Sequence, residues 1–162
     1  MLILRKVISG GQNGVDQAGL RAAKLVGYET GGTAPKGYRT LDGPNLDLRD
    51  IFGLTEHWSE AYPPRTEANV KQSDGTIRIA RKIDSSGERL TLRYVQKHGR
   101  PHFDIHEDHP PTVERLVEWL ANYNIETLNV AGNSEQTAPG IHDFALNFLL
   151  KAFRLVKERQ LG

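Results

Sequence analysis

The run Ser9-Gly10-Gly11-Gln12-Asn13-Gly14-Val15-Asp16 joins an apolar-rich segment, Leu2 to Ile8, to an amphipathic segment that ends at Val26. A strand that feeds a glycine-rich turn, which in turn opens a helix, is the local geometry of an anion site. Glycine lets backbone approach a ligand closely, and the first helical turn offers unpaired N–H groups and a partial positive charge. The spacing Gly10-Gly11-x-x-Gly14 is not the dinucleotide fingerprint, which needs a glycine where Ser9 stands. The run is either a phosphate cradle or a tight βα connection with no ligand.

Outward from this turn, strand-like and helix-like segments alternate. Gly27 is placed to cap the first helix, and Tyr28 to Thr30 is short and extended. A glycine- and proline-rich loop, Gly31 to Pro44, is too long for a simple connection, and loops of that size are often functional. Leu54 to Trp58 reads as a strand, Thr66 to Gln72 as a short helix with Pro64 near its first turn. Ile77 and Ile79 alternate with Arg78, a strand pattern whose second face is expected to be wet or at a sheet edge. Gly87 to His98 reads as a helix, His102 to Ile105 as a strand. Pro110-Pro111-Thr112 starts a helix carrying Val113, Leu116, Val117 and Leu120 at helical spacing. Thr127 to Gly132 reads as a strand, and Ile141 to about Glu158 as a long helix followed by a polar tail. This order predicts one α/β domain over residues 1–162, with a mostly parallel sheet covered by helices on both faces. Ligands of such sheets sit at the carboxyl ends of the strands.

Composition narrows the chemistry. The chain of 162 residues has a formal net charge of +1, so general affinity for nucleic acid or an acidic membrane is not implied. It has no cysteine, which removes disulfides and thiolate chemistry. No segment reads as a signal peptide or membrane span, and the expected location is cytoplasmic.

The polar motifs all follow strands or open helices. Lys36 and Arg65 are candidate partners for phosphate or carboxylate, Lys as a point charge and Arg as a fork. The alternatives are a solvated lysine and a structural ion pair of Arg65 with Glu67 or Asp74. Asp16 either complements the helix dipole or hydrogen-bonds a ligand or the glycine loop. Glu67 is a helix N-terminal carboxylate or a general acid–base group with a raised pKa; Glu135 shares the ambiguity. Trp58 and Tyr62 either stack on a flat ring or pack at a sheet edge. His98, His102, His106 and His109 lack metal-ligand spacing, and no metal site is expected. No G-x-S-x-G elbow and no P-loop occurs.

Taken together, Ile8 to Asp16, Gly31-Gly32, Pro35-Lys36-Gly37, Tyr62-x-x-Arg65-Thr66-Glu67-x-Asn69-Val70, Ser73-Asp74-Gly75-Thr76, Asn129 to Gly132 and Pro139-Gly140-Ile141 resemble the putative molybdenum cofactor carrier family. The resemblance runs from about residue 7 to 150. That family is similar to the wider Rossmann-like superfamily of LOG-type nucleotide phosphoribohydrolases and SLOG ligand-sensing domains. The resemblance implies a nucleotide- or pterin-like ligand bearing phosphate, the molybdenum cofactor among them, and association into homodimers or homotetramers. It implies that Gly10, Gly11, Gln12, Asn13, Gly14 and Asp16 lie at the phosphate, with Lys36, Arg65, Thr66, Glu67 and Asn69 lining the same cleft. Ser86, Gly87, Gly132 and Asn133 belong to the loops that complete it. One departure stands out. Where relatives carry a second glycine signature close to Gly-Gly-Thr, this chain has Ser85-Ser86-Gly87-Glu88-Arg89. Asn13 stands where threonine is common.

The expected function is therefore binding of a small phosphate-bearing ligand without transforming it, in the manner of a carrier. A sponge or sensor for a nucleotide signal, such as cyclic ADP-ribose or a cyclic dinucleotide, shares that chemistry. The competing expectation is a nucleotide-hydrolysing enzyme of LOG type, with Glu67 or Glu88 as the catalytic carboxyl.

Overall fold

The computed structural model describes all residues, 1–162. Five parallel strands form the central sheet: β1 (Lys6–Ile8), β2 (Glu29–Gly31), β7 (Gly75–Ala80), β8 (His102–His106) and β9 (Thr127–Gly132). Their spatial order is β2-β1-β9-β7-β8, so the last strand in sequence is the central one. Ile8 pairs with Asn129 and Ile79 with Gly132, which brings the ends of β1, β9 and β7 to one rim.

Helices α1 (Val15–Val26), α5 (Val113–Asn122) and α6 (Ile141–Leu161) pack together. Helices α3 (Tyr62–Gln72) and α4 (Ser86–Lys97) pack on each other and against β7 and β9. The expected α/β Rossmann-like architecture is what the chain forms. The main core runs between sheet and helices through Val7, Ile77, Leu128, Val130, Leu149 and Phe153. Gly132 lies so close to β7 that a Cβ would overlap the Ile79 carbonyl oxygen and press on Val15 at 2.7 Å.

The long loop after β2 is built of short pieces. β3 (Thr33–Ala34) pairs with β6 (Thr55–Glu56), and β4 (Arg39–Thr40) pairs with β5 (Gly43–Pro44). With the single-turn helix α2 (Asp47–Asp50) they enclose a second apolar cluster, Leu20, Ala34, Tyr38, Leu48, Phe52 and Leu54.

Several local expectations shift. β1 covers only Lys6–Ile8, shorter than the apolar run that suggested it. α3 starts at Tyr62, because two prolines fit the first helical turn. No polar tail follows Lys157: α6 continues to Leu161, and Gln160 donates to the Leu4 carbonyl. Arg78 is not wet. It is only 3 % exposed, since β7 lies between β9 and β8 with helices against it. Its charge is met by a fork to Asp104 on β8, at 2.9 and 2.7 Å. No helix is long and apolar enough to cross a membrane.

Candidate functional site

The strand ends, the turn before α1, the first half of α3 and the first turn of α4 surround one cleft of about 260 Å³. It gathers Gly10, Gln12 and Asp16 from the first turn, Arg65, Thr66 and Asn69 from α3, Ser86, Gly87 and Glu88 from α4, and Gly132 and Asn133 from the end of β9.

The glycine turn holds itself together. Gly11 N–H donates to the Ser9 hydroxyl, Gln12 N–H to Asp16 Oδ2, and Asn13 N–H to Gln12 Oε1. Val15 N–H donates to the Asn133 carbonyl. Most of the amides that a phosphate would use at this turn are therefore spent internally. Gly10 N–H has no intramolecular acceptor and lies at the cleft. A Cβ there would overlap the Arg65 guanidinium, so glycine at position 10 is what lets Arg65 lie across the turn.

Arg65 Nη1 donates to Asp16 Oδ2 at 3.2 Å, and its guanidinium lies 5.3 Å from the Tyr62 ring centre. The partner is Asp16, not Glu67 or Asp74; Asp74 instead accepts from the amides of Glu126 and Thr127. Arg65 Nε is buried without an acceptor. Asp16 is 4 % exposed, and burial raises its carboxyl to about 6 against the opposing pull of Arg65. Both of its hydrogen bonds go to Oδ2, and Oδ1 has no partner.

The first turn of α4 is different from that of α1. Ser85 caps it, its hydroxyl accepting from Glu88 N–H and its carbonyl from Arg89 N–H. The amides of Ser86 and Gly87 have no intramolecular acceptor. Glu88 points no charge at solvent: it is 3 % exposed, its Oε1 has no partner, and Arg78 donates to its backbone carbonyl rather than its side chain. Burial, then the neighbouring Asp16, pushes the Glu88 carboxyl up to about 8. At neutral pH it is mostly a neutral acid.

Other sequence candidates lie elsewhere. Gly11, Asn13 and Gly14 shape the turn without lining the cleft. A Cβ on Gly11 would meet Leu48 at 2.7 Å, and one on Gly14 would overlap the Asn133 carbonyl. Asn13 Nδ2 donates to Asp42 and Gln136. Lys36 is exposed in the turn after β3 and is not part of the cleft. Glu67 faces α4, 2.8 Å from both Lys97 Nζ and His98 Nε2. These hydrogen bonds lower its pKa, the reverse of the expected shift. Glu135 accepts from the amides of Gly140 and His142 at the start of α6. Trp58 is 81 % exposed, in contact with His57, while Tyr62 reaches the cleft. Leu41, Leu90, Thr91, Asn129 and Thr137 also line it. Of these, only Asn129 carries a sequence signal, a polar residue between Leu128 and Val130 in a buried strand.

The model of the circularly permutated YpsA SLOG family matches residues 7–153, nearly the whole chain. The chain belongs to this family. A crystal structure from Syntrophus aciditrophicus SB, described as a putative molybdenum carrier protein, is similar throughout. It shares 31 % sequence identity with a TM-score of 0.84, over 94 % of this chain and 96 % of that one. No curated protein matches the chain. Within the SLOG frame, the cleft described above lies at the carboxyl rim of the sheet, beside the central strand β9.

Proposed function

We propose that this SLOG protein binds a small anionic ligand of nucleotide or pterin type and holds it without transforming it. The observation that carries this reading is a convergence of unspent donors. Arg65 and the free amides of Gly10, Ser86 and Gly87 border one cleft, and two of those amides open the 12-residue helix α4. A helix N-terminus with free amides beside an arginine suits a phosphate or similar group. The Syntrophus protein's description as a putative molybdenum carrier protein favours carriage, and a molybdenum cofactor would then be cargo. The donors fit the organic and phosphate part of such cargo; with no cysteine in the chain, no thiolate is offered to its metal. Sequestering a nucleotide signal uses the same donors. Assembly into homodimers or homotetramers is part of the proposal, read out by light scattering on the eluting protein.

The test is to denature purified protein and identify released small molecules by mass spectrometry, then to measure thermal shifts with nucleotides and pterins. An intact phosphate-bearing ligand supports the reading. No released ligand and no shift across the panel overturns it.

One observation favours a second reading. Asp16 and Glu88 are two buried carboxyls on one cleft, one ionised and one mostly protonated at neutral pH. Such a pair suits hydrolysis of an N-glycosidic bond, with Glu88 protonating the leaving base and Asp16 activating water. Turnover of an added nucleotide to free base would select this reading over simple binding.

A further inference from the structure

Two buried side-chain atoms at the cleft have no partner: the donor Arg65 Nε and the acceptor Glu88 Oε1. The arginine is accounted for by the anion of the proposed ligand. The glutamate is not, because an anion is the wrong partner for a carboxyl. Glu88 lies in the Ser85–Arg89 stretch, in the first turn of α4.

The surroundings of Glu88 supply no donor for it. Arg78 comes nearest in chemistry, yet its guanidinium is engaged by Asp104 and the Glu88 backbone carbonyl. The charged groups that face the carboxyl are Asp16 from α1, Arg65 from α3, Arg78 from β7 and Asp104 from β8. Asp16 Oδ1 also has no protein partner, but unlike Glu88 Oε1 it is not shut off from solvent. Buried polar atoms are normally paired, so the buried, unpaired Glu88 Oε1 in this cleft points to a ligand that brings donors. The terminal torsion of a glutamate is soft, so either oxygen can turn to a group seated beside it. Leu41, Tyr62 and Leu90 give the cleft an apolar lining that suits a flat ring.

We propose that Glu88 recognises a planar heterocycle through two adjacent N–H donors, the ring N–H and exocyclic amino group of a 2-aminopyrimidin-4-one edge. Guanine and pterin both carry that edge. This inference rests on the binding reading above and deepens it. When the ligand docks, its two N–H groups hydrogen-bond the carboxylate, and the proton that Glu88 held leaves to solvent. Asp16 and Arg65 stay paired, so the phosphate end and the ring end are read by separate groups.

Isothermal titration with five probes tests this: GMP, IMP, guanosine, pterin and lumazine. IMP and lumazine lack the 2-amino group. Wild-type protein should bind GMP over IMP, or pterin over lumazine, by about tenfold or more. Titration at pH 7 in two buffers of different ionisation enthalpy should show close to one proton released per ligand. In Glu88→Gln the preference should fall to about threefold or less, since an amide accepts at one oxygen only, and proton release should vanish. Equal binding of GMP and IMP and of pterin and lumazine, or unchanged proton release in the variant, overturns the inference and leaves the phosphate reading intact. Guanosine binding as tightly as GMP overturns the phosphate reading and leaves the inference intact. No heat from any probe overturns both. If the variant does not fold, the wild-type preference and proton count decide alone.

Discussion

Replacing Glu88 with glutamine should stabilise the protein, and the gain should grow with pH. An unfolded glutamate ionises near about 4.3, whereas burial holds the folded Glu88 carboxyl up to about 8. The sign follows from proton linkage. Below about pH 4 both states are protonated and the side chain costs nothing in charge. Between the two values the unfolded chain gives up its proton and the folded chain keeps it, so folded stability falls as pH rises. At pH 7 the penalty is about 4 kcal/mol, from about 1.4 kcal/mol for each pH unit between about 4.3 and 7. Glutamine has no proton to lose and escapes this cost. Its amide still occupies the same volume, so no cavity offsets the gain. Urea denaturation of both proteins at pH 5, 6, 7 and 8 measures the effect. The difference between them should widen by about 3–4 kcal/mol across that range, and the thermal midpoint gain at pH 7 should be on the order of 7–15 °C for a chain of this size. Parallel curves across the range would refute the argument, because Glu88 would then be ionised and solvated at neutral pH. A buried acid that weakens the fold and yet lies in a cleft is the pattern of a site kept for function.

Other perturbations follow from the same geometry. Arg65→Ala should weaken a phosphate ligand by about 1.5–3 kcal/mol and raise the Asp16 carboxyl above its present value of about 6, since Arg65 is what opposes its burial; an unchanged affinity by titration removes Arg65 from the site. Asp104→Asn should cost about 2–4 kcal/mol by leaving the buried Arg78 without its anion, read as a lower denaturation midpoint. In the wild type the hydrogen bonds and charges of Arg78 and His102 outweigh burial and hold Asp104 below the usual carboxylate range, so this share of stability is present at neutral pH and is lost as pH falls through the lowered value. Gly132→Ala should destabilise by about 3 kcal/mol or more, as backbone has nowhere to yield; a soluble variant with an unchanged melting temperature contradicts the close approach of β9 to β7.

The fold was legible because its signals are local and periodic. The strand, glycine turn and helix at the start, the helix cap at Gly27, and the alternation along the chain all predict a parallel sheet. What could not be read was strand order: nothing in Thr127 to Gly132 says that it lies centrally rather than at an edge. That one fact explains the misreading of Arg78, whose place in β7 looks exposed by alternation and is buried by neighbours. Much of the cleft was legible by motif, but partners were not. Glu67 looks like a candidate base from its position at a helix start. Only the packing of α3 on α4 places Lys97 and His98 against it. Lys36 has a suggestive loop and no route to the cleft. Leu41 gives no signal, because it comes from a β4–β5 turn whose position depends on the second apolar cluster.

The two glycine-bearing turns exchange the roles that sequence suggests for them. A phosphate cradle needs amides that are free when the ligand arrives, and glycine content alone does not guarantee that. In the turn before α1 the glycines serve packing. Gly10 admits Arg65, Gly11 admits Leu48, and Gly14 admits the Asn133 carbonyl, while Ser9, Gln12 and Asp16 take up the amides. In the turn before α4 there is only Gly87, yet the amides of Ser86 and Gly87 stay open. Glu88 belongs to the same first turn and lines the same cleft, and an ionised carboxyl in a cleft that holds an anion adds repulsion. A protonated Glu88 removes that conflict, and a ligand that supplies N–H donors to the carboxyl screens it. A glutamate in this turn is therefore compatible with the anion site proposed at α4. On the reading proposed above, Glu88 favours ligands whose other end presents hydrogen-bond donors and ties their binding to pH.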